Sequence, residues 1–71
     1  MEKRKHYWNG RWGRLARHDV VLYEDGGRFT VEHRIGGVEG LVRVSEFEQE
    51  DDALDRVRTL LDVSDAWEEL P

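Results

Sequence analysis

One stretch, residues 20–35, limits what this chain can fold into more than any other. Within it Phe29, Val31, His33 and Ile35 alternate with Arg28, Thr30, Glu32 and Arg34. A period of two places the apolar members on one side of an extended chain and marks a half-buried strand. The run before it, Val20-Val21-Leu22-Tyr23-Glu24, is joined to it by Asp25-Gly26-Gly27. Glycine accepts the positive φ that a tight hairpin turn demands. The pattern predicts a β-hairpin with one apolar face, and the remainder of the chain must supply the cover for that face.

Size and charge set the frame for that cover. A chain of 71 residues makes one domain, residues 1–71, and a domain this small buries only about 60% of its unfolded surface. Its core is therefore small. With no cysteine it has neither a disulfide staple nor a thiolate metal site, so a cytoplasmic location is expected over a secreted one. No apolar run approaches the roughly 18 residues of a membrane span, and no apolar h-region follows the basic start. Charge is unevenly placed. Residues 1–17 hold six cations against one acid, and residues 45–71 hold two cations against ten acids. Such polarity predicts a basic and an acidic face, or two ends that attract and close the fold, or a head-to-tail contact between copies.

In chain order, residues 1–5 are charged and expected to be disordered. Residues 6–47 read as the sheet region. Asn9-Gly10 between aromatic-rich arms signals a two-residue turn that would set Trp8 against Arg11 and Tyr7 against Trp12. A second reading runs one bent strand from Arg11 to Tyr23 with a kink at Gly13. Gly36, Gly37 and Gly40 mark a turn, and Leu41-Val42-Arg43-Val44-Ser45 a strand rich in β-branched residues. Val42 and Val44 fall on one face of that strand and Leu41 and Phe47 on the other, which a bulge near Ser45 would reconcile. A helix is predicted over residues 51–63, with Asp51 as N-cap, an apolar stripe of Leu54, Val57, Leu60 and Leu61 edged by Ala53, and an Asp52–Arg56 pair on its wet side. Residues 64–71 read as a short turn capped by Ser64, with Trp67 and Leu70 latching onto the core. The fold class that follows is α+β: an antiparallel β-sheet of three to five strands in hairpins, followed by a C-terminal α-helix packed on one face. One helix covers one face only, so the polar positions of the central strand suit a face left to solvent or to a partner.

Among candidate sites, the aromatic and basic segment 6–18 stands first. Tyr7, Trp8, Arg11, Trp12, Arg14 and Arg17 have the composition of a protein-binding hot spot. The same residues can stack on bases and hold phosphates. The competing structural reading buries the two tryptophans to enlarge a small core and lets the arginine heads reach water. The acidic run 46–55 lacks the alternating ligands and central glycine of a calcium loop and reads as a solvated helix start. His6, His18 and His33 show no metal-ligand spacing, so no metal is expected. Ser45, Ser64, Thr30 and Thr59 sit in no nucleophile motif. The glycines at 36, 37 and 40 lead into a strand where a phosphate loop would lead into a helix. No enzyme activity, cofactor or small-molecule substrate is expected.

From Tyr23 to Trp67 the order of features resembles a WGR domain, the small sheet-and-helix module of poly(ADP-ribose) polymerases and several bacterial proteins. The matching pieces are Tyr23 on the first hairpin arm, Phe29 and Val31 on the second, Arg34-Ile35-Gly36, Gly40, Phe47, Asp52-Ala53 on the helix and Trp67 after it. Glu32 and His33 occupy the positions of the signature Trp and Gly, and the literal Trp12-Gly13-Arg14 lies well upstream. The resemblance implies a sheet followed by a helix, and binding to DNA ends or to neighbouring domains, with Arg14 and Arg34 as nucleic-acid contacts. The expectation carried forward is a small non-enzymatic interaction module. Its partner is a protein or a second copy of itself, bound through the aromatic and arginine-rich segment and the exposed sheet face. The alternative is a nucleic-acid-binding module that uses the same residues.

Overall fold

A computed structural model describes residues 2–10, 17–36, 40–62 and 67–70. Five strands and one helix follow in the order β1 (Glu2–Trp8), β2 (His18–Asp25), β3 (Arg28–Ile35), β4 (Leu41–Phe47), α1 (Glu50–Leu61) and β5 (Glu68–Leu70). The strands form one antiparallel sheet in the order β4-β3-β2-β1-β5, and α1 packs against β3, β2 and β4. The fold is α+β.

The central hairpin forms as its sequence predicts. Asp25 pairs with Arg28 across Gly26 and Gly27, whose φ values are 59° and 89°. Positive φ at both central residues is the type I′ turn, the twist of which matches that of the flanking strands. The β3–β4 connection uses glycine for a second reason: a Cβ at Gly40 would overlap the carbonyl of Ile35. The β3–β4 ladder runs from Phe29–Phe47 to Ile35–Leu41 without a break. The bulge expected near Ser45 is absent, and Val42 and Val44 stay on the face away from the helix.

The core lies between that hairpin and α1. Val20 and Leu22 of β2, Phe29 and Val31 of β3, and Ala53 and Val57 of α1 are buried, with Tyr7, Phe47, Leu54, Leu60, Leu61 and Trp67 packed around them. The helix stripe is centred on Ala53 and Val57, one step round from the leucine-rich stripe expected, and Leu54, Leu60 and Leu61 are half-buried at its rim. A small residue buried between the helix and the sheet, Ala53, lets the helix sit down on the β-branched surface of the sheet. The helix starts at Glu50 with Gln49 as N-cap, and no side chain caps it. Asp51, expected at that position, lies in the first turn with Glu50 and Asp52, where acids complement the helix dipole. Its exposed ion pair is Arg58–Asp55 at 3.3 Å, in place of the expected Asp52–Arg56.

The two ends of the chain depart most from expectation. Glu2–Lys5, expected to be disordered, form the first half of β1. The expected pairs Tyr7–Trp12 and Trp8–Arg11 involve Trp12 and Arg11, which lie outside the described residues; at His6, Tyr7 and Trp8 both edges of β1 are held by distant strands. Tyr7 lies between Val20 and Glu69, and Trp8 between Asp19 and Glu68. Asn9 instead ties β1 to the start of β2: its backbone N–H donates to the His18 carbonyl at 3.1 Å, and its Oδ1 accepts from the His18 N–H at 3.1 Å. Glu68–Leu70, expected in a helical turn, are a strand on the outer edge of β1. Trp67 packs against the core as expected. The acidic end thus closes on the basic start, with Lys5 3.9 Å from Glu69. The long bent strand of the second reading is not formed as proposed, since Arg17 precedes the strand that begins at His18; residues 11–16 lie outside the described residues.

Candidate interaction surface

Alternation sorts the side chains of the sheet into two sets. Those paired in register with the core face α1. The others, His6 and Trp8 of β1, Asp19, Val21 and Tyr23 of β2, Thr30, Glu32 and Arg34 of β3, and Val42, Val44 and Glu46 of β4, share the opposite face. No other described strand or helix packs on that face, and its centre, at Asp19 and Val21, is buried.

A polar network occupies its centre. Asp19 is only 4% exposed, and three donors surround its carboxylate. Arg17 donates from Nε to Oδ1 at 2.8 Å and from Nη2 to Oδ2 at 3.2 Å, while His6 Nε2 lies 2.7 Å from Oδ2. The guanidinium of Arg17 also lies over the Trp8 ring, 5.5 Å from its centroid, a cation–π arrangement. Burial pushes the Asp19 carboxyl up, but the hydrogen bonds from Arg17 and His6 outweigh it and hold it below the usual carboxylate range. Beside this group Arg34 donates to Glu32 Oε2 at 2.8 Å and 3.2 Å and to the Tyr23 hydroxyl at 3.1 Å. Burial, with the charge of Glu32, raises the Tyr23 phenol. The hydrogen bond to Glu32 likewise raises Arg34, and that to Asp19 raises Arg17.

Apolar side chains lie along the β4 edge, Val42 and Val44 on this face and Leu41 on the helix side. Leu41, Val42 and Val44 are 55%, 46% and 55% exposed. All three lie on β4, the end strand of the sheet. On the helix side, His18 Nδ1 and His33 Nε2 approach to 3.2 Å. Burial, then the charges of His18, Arg43 and Arg56, depress the His33 imidazole.

The residues singled out in the sequence divide accordingly. Tyr7 packs against the core from the helix side, which is the structural reading of that aromatic. Trp8, Arg17 and Arg34 lie on the open face, each half-buried. Arg11, Trp12 and Arg14 lie outside the described residues. Asp19, His6, Tyr23 and Glu32 were not among the contact residues expected from the sequence, although the alternation of Asp19, Val21 and Tyr23 in the first hairpin arm places those three together. Among the described residues no group of three or more His, Asp or Glu side chains is set to hold a metal ion, and no helix is long and apolar enough to cross a membrane. Comparison with family models, curated proteins and solved structures finds no match for this chain.

Proposed function

We propose that the chain is a small interaction module without catalytic activity that binds a protein through the open sheet face and the β4 edge. One observation carries this reading: all the exposed large apolar side chains among the described residues, Leu41, Val42 and Val44, fall on a single end strand. An end strand presents unpaired backbone groups, and apolar side chains on it favour the addition of a further strand. Trp8 under Arg17 supplies an aromatic and arginine contact at the other side of the same face. The arginines there favour a protein over nucleic acid. Arg17 and Arg34 are each bonded to a carboxylate, so their charge is locally neutralised, whereas phosphate binding draws on cations that release counterions.

Affinity capture with the wild-type chain and with a V42D/V44D double variant tests the reading. Both chains are first matched for far-ultraviolet circular dichroism and thermal melting. Proteins retained by the wild type and lost from the double variant are expected. Identical capture by the two baits, or saturable salt-sensitive binding of short oligonucleotides by both, overturns it.

A further inference from the structure

We infer that the strand added to β4 is the β4 of a second copy, in an antiparallel register centred on Val44. This deepens the reading above and rests on it.

The backbone decides which groups are free. The type I′ turn makes Asp25 and Arg28 a hydrogen-bonded pair. Alternate pairs along β2–β3 are then hydrogen-bonded too, and Gly36 N–H indeed donates to the Arg17 carbonyl at 2.8 Å. The intervening residues of β3 turn their N–H and C=O groups to β4, where they meet Leu41, Arg43, Ser45 and Phe47. Val42, Val44 and Glu46 therefore direct their backbone groups away from the sheet. Two copies joined antiparallel at this edge have both the strand direction and the outward direction reversed, so the sheet normal keeps its sense. The helices of both copies lie on the same side, and residues directly opposite share a face. Only registers centred on a residue meet this condition.

Charge and apolar pairing select among those registers. Centred on Val44, the open face sets Val44 against Val44 and Val42 against Glu46, twice. The helix side sets Leu41 against Phe47 and Arg43 against Ser45, each twice. No charge meets its own copy, and Val42, Val44 and Glu46 of both chains supply about six backbone hydrogen bonds. Centring on Arg43 opposes two arginines and loses a pair of those bonds. Centring on Ser45 sets Arg43 against Phe47 and Val44 against Glu46. Beyond the pairing itself, the exposed Leu41, Val42 and Val44 lose water contact on both copies, and the joined sheet has no β4 edge left to recruit a third.

Sedimentation of the full chain from about 10 μM to about 1 mM, with two point variants, tests the inference. The wild type is expected to form a dimer. V44K places two ammonium groups opposite each other on the two-fold axis and is expected to weaken it at least tenfold. V42K places each ammonium opposite Glu46 of the other copy and is expected to keep the wild-type affinity within about threefold. In a chain without cysteine, V44C is expected to oxidise to a covalent dimer and V42C to remain monomeric. A wild type that stays monomeric overturns the inference, as does equal weakening by V42K and V44K. A monomeric wild type whose capture of another protein still depends on Val42 and Val44 leaves the interaction strand standing and removes only the second copy. The loss of both removes both.

Discussion

Asp19 is the residue on which the open face turns. Its carboxylate is buried and accepts from Arg17 while lying against His6, and truncation leaves those partners without an acceptor. Asp19→Ala is expected to cost about 2–4 kcal/mol in urea denaturation at neutral pH. The depressed carboxyl adds a pH signature. Its contribution is present above the unfolded value near 4 and is lost as pH falls through the folded value, so the Ala variant is expected to lose less stability than wild type on acidification below about pH 4. His33 acts in a higher window. Its imidazole is held below its ordinary value by burial and by the His18, Arg43 and Arg56 charges. The unfolded chain therefore takes up the proton first, and stability falls as pH drops below about 6.5. His33→Gln is expected to flatten the decline between about pH 7 and pH 5. Trp67 offers the reverse case. Its buried Nε1 has no hydrogen-bond partner among the described residues, so Trp67→Phe removes an unsatisfied donor and is expected to leave the melting temperature equal or higher.

At the scale of elements, α1 carries two opposite opportunities. Gln49 already has the extended backbone of an N-cap, φ −117° and ψ 136°, but its side chain makes no cap bond. Gln49→Asp is expected to stabilise the protein by about 1 kcal/mol. Ala53 is fully buried where the helix meets the sheet, and Ala53→Leu is expected to destabilise by about 1–3 kcal/mol by lifting the helix. Chemical denaturation of the two variants beside wild type checks both signs. The strands divide differently. β2 and β3 have neighbours on both edges, whereas β4 is long, apolar and terminal, and β5 is only three residues. Natural sheets blunt their edges with short strands, charges or cover. β5 is blunted by its length, whereas β4 carries Arg43 and Glu46 but leaves Leu41, Val42 and Val44 exposed beside them, which is why self-pairing is placed at β4.

For the whole molecule, closure of the ends matters most. β2 runs along the whole of basic β1, acidic β5 covers its outer edge at His6–Trp8, and Trp67 enters the core just before β5. A chain ending at residue 66 loses that tryptophan and uncovers the outer edge of β1. It is expected to be less stable by about 3–5 kcal/mol, a large share of the stability of a domain this size.

Local chemistry determined the central hairpin and the helix. Glycine at positive φ, strict alternation in residues 28–35 and an apolar helical stripe act within a few residues, so they are legible in the sequence. Phe29 and Val31 and the existence of the helix were read on those grounds. Tertiary structure decided the rest. Asn9-Gly10 has the local signature of a tight hairpin, yet at His6, Tyr7 and Trp8 the edges of β1 are held by β2 and β5, strands far away in the sequence that no local signal could name. Asp19 carries no local signal of burial, and only the pairing of β1 with β2 brings His6 beside it. Val42 and Val44 look like core in a β-branched strand. They are exposed because the only described helix lies over the other face of the sheet and the register of β4 is unbroken.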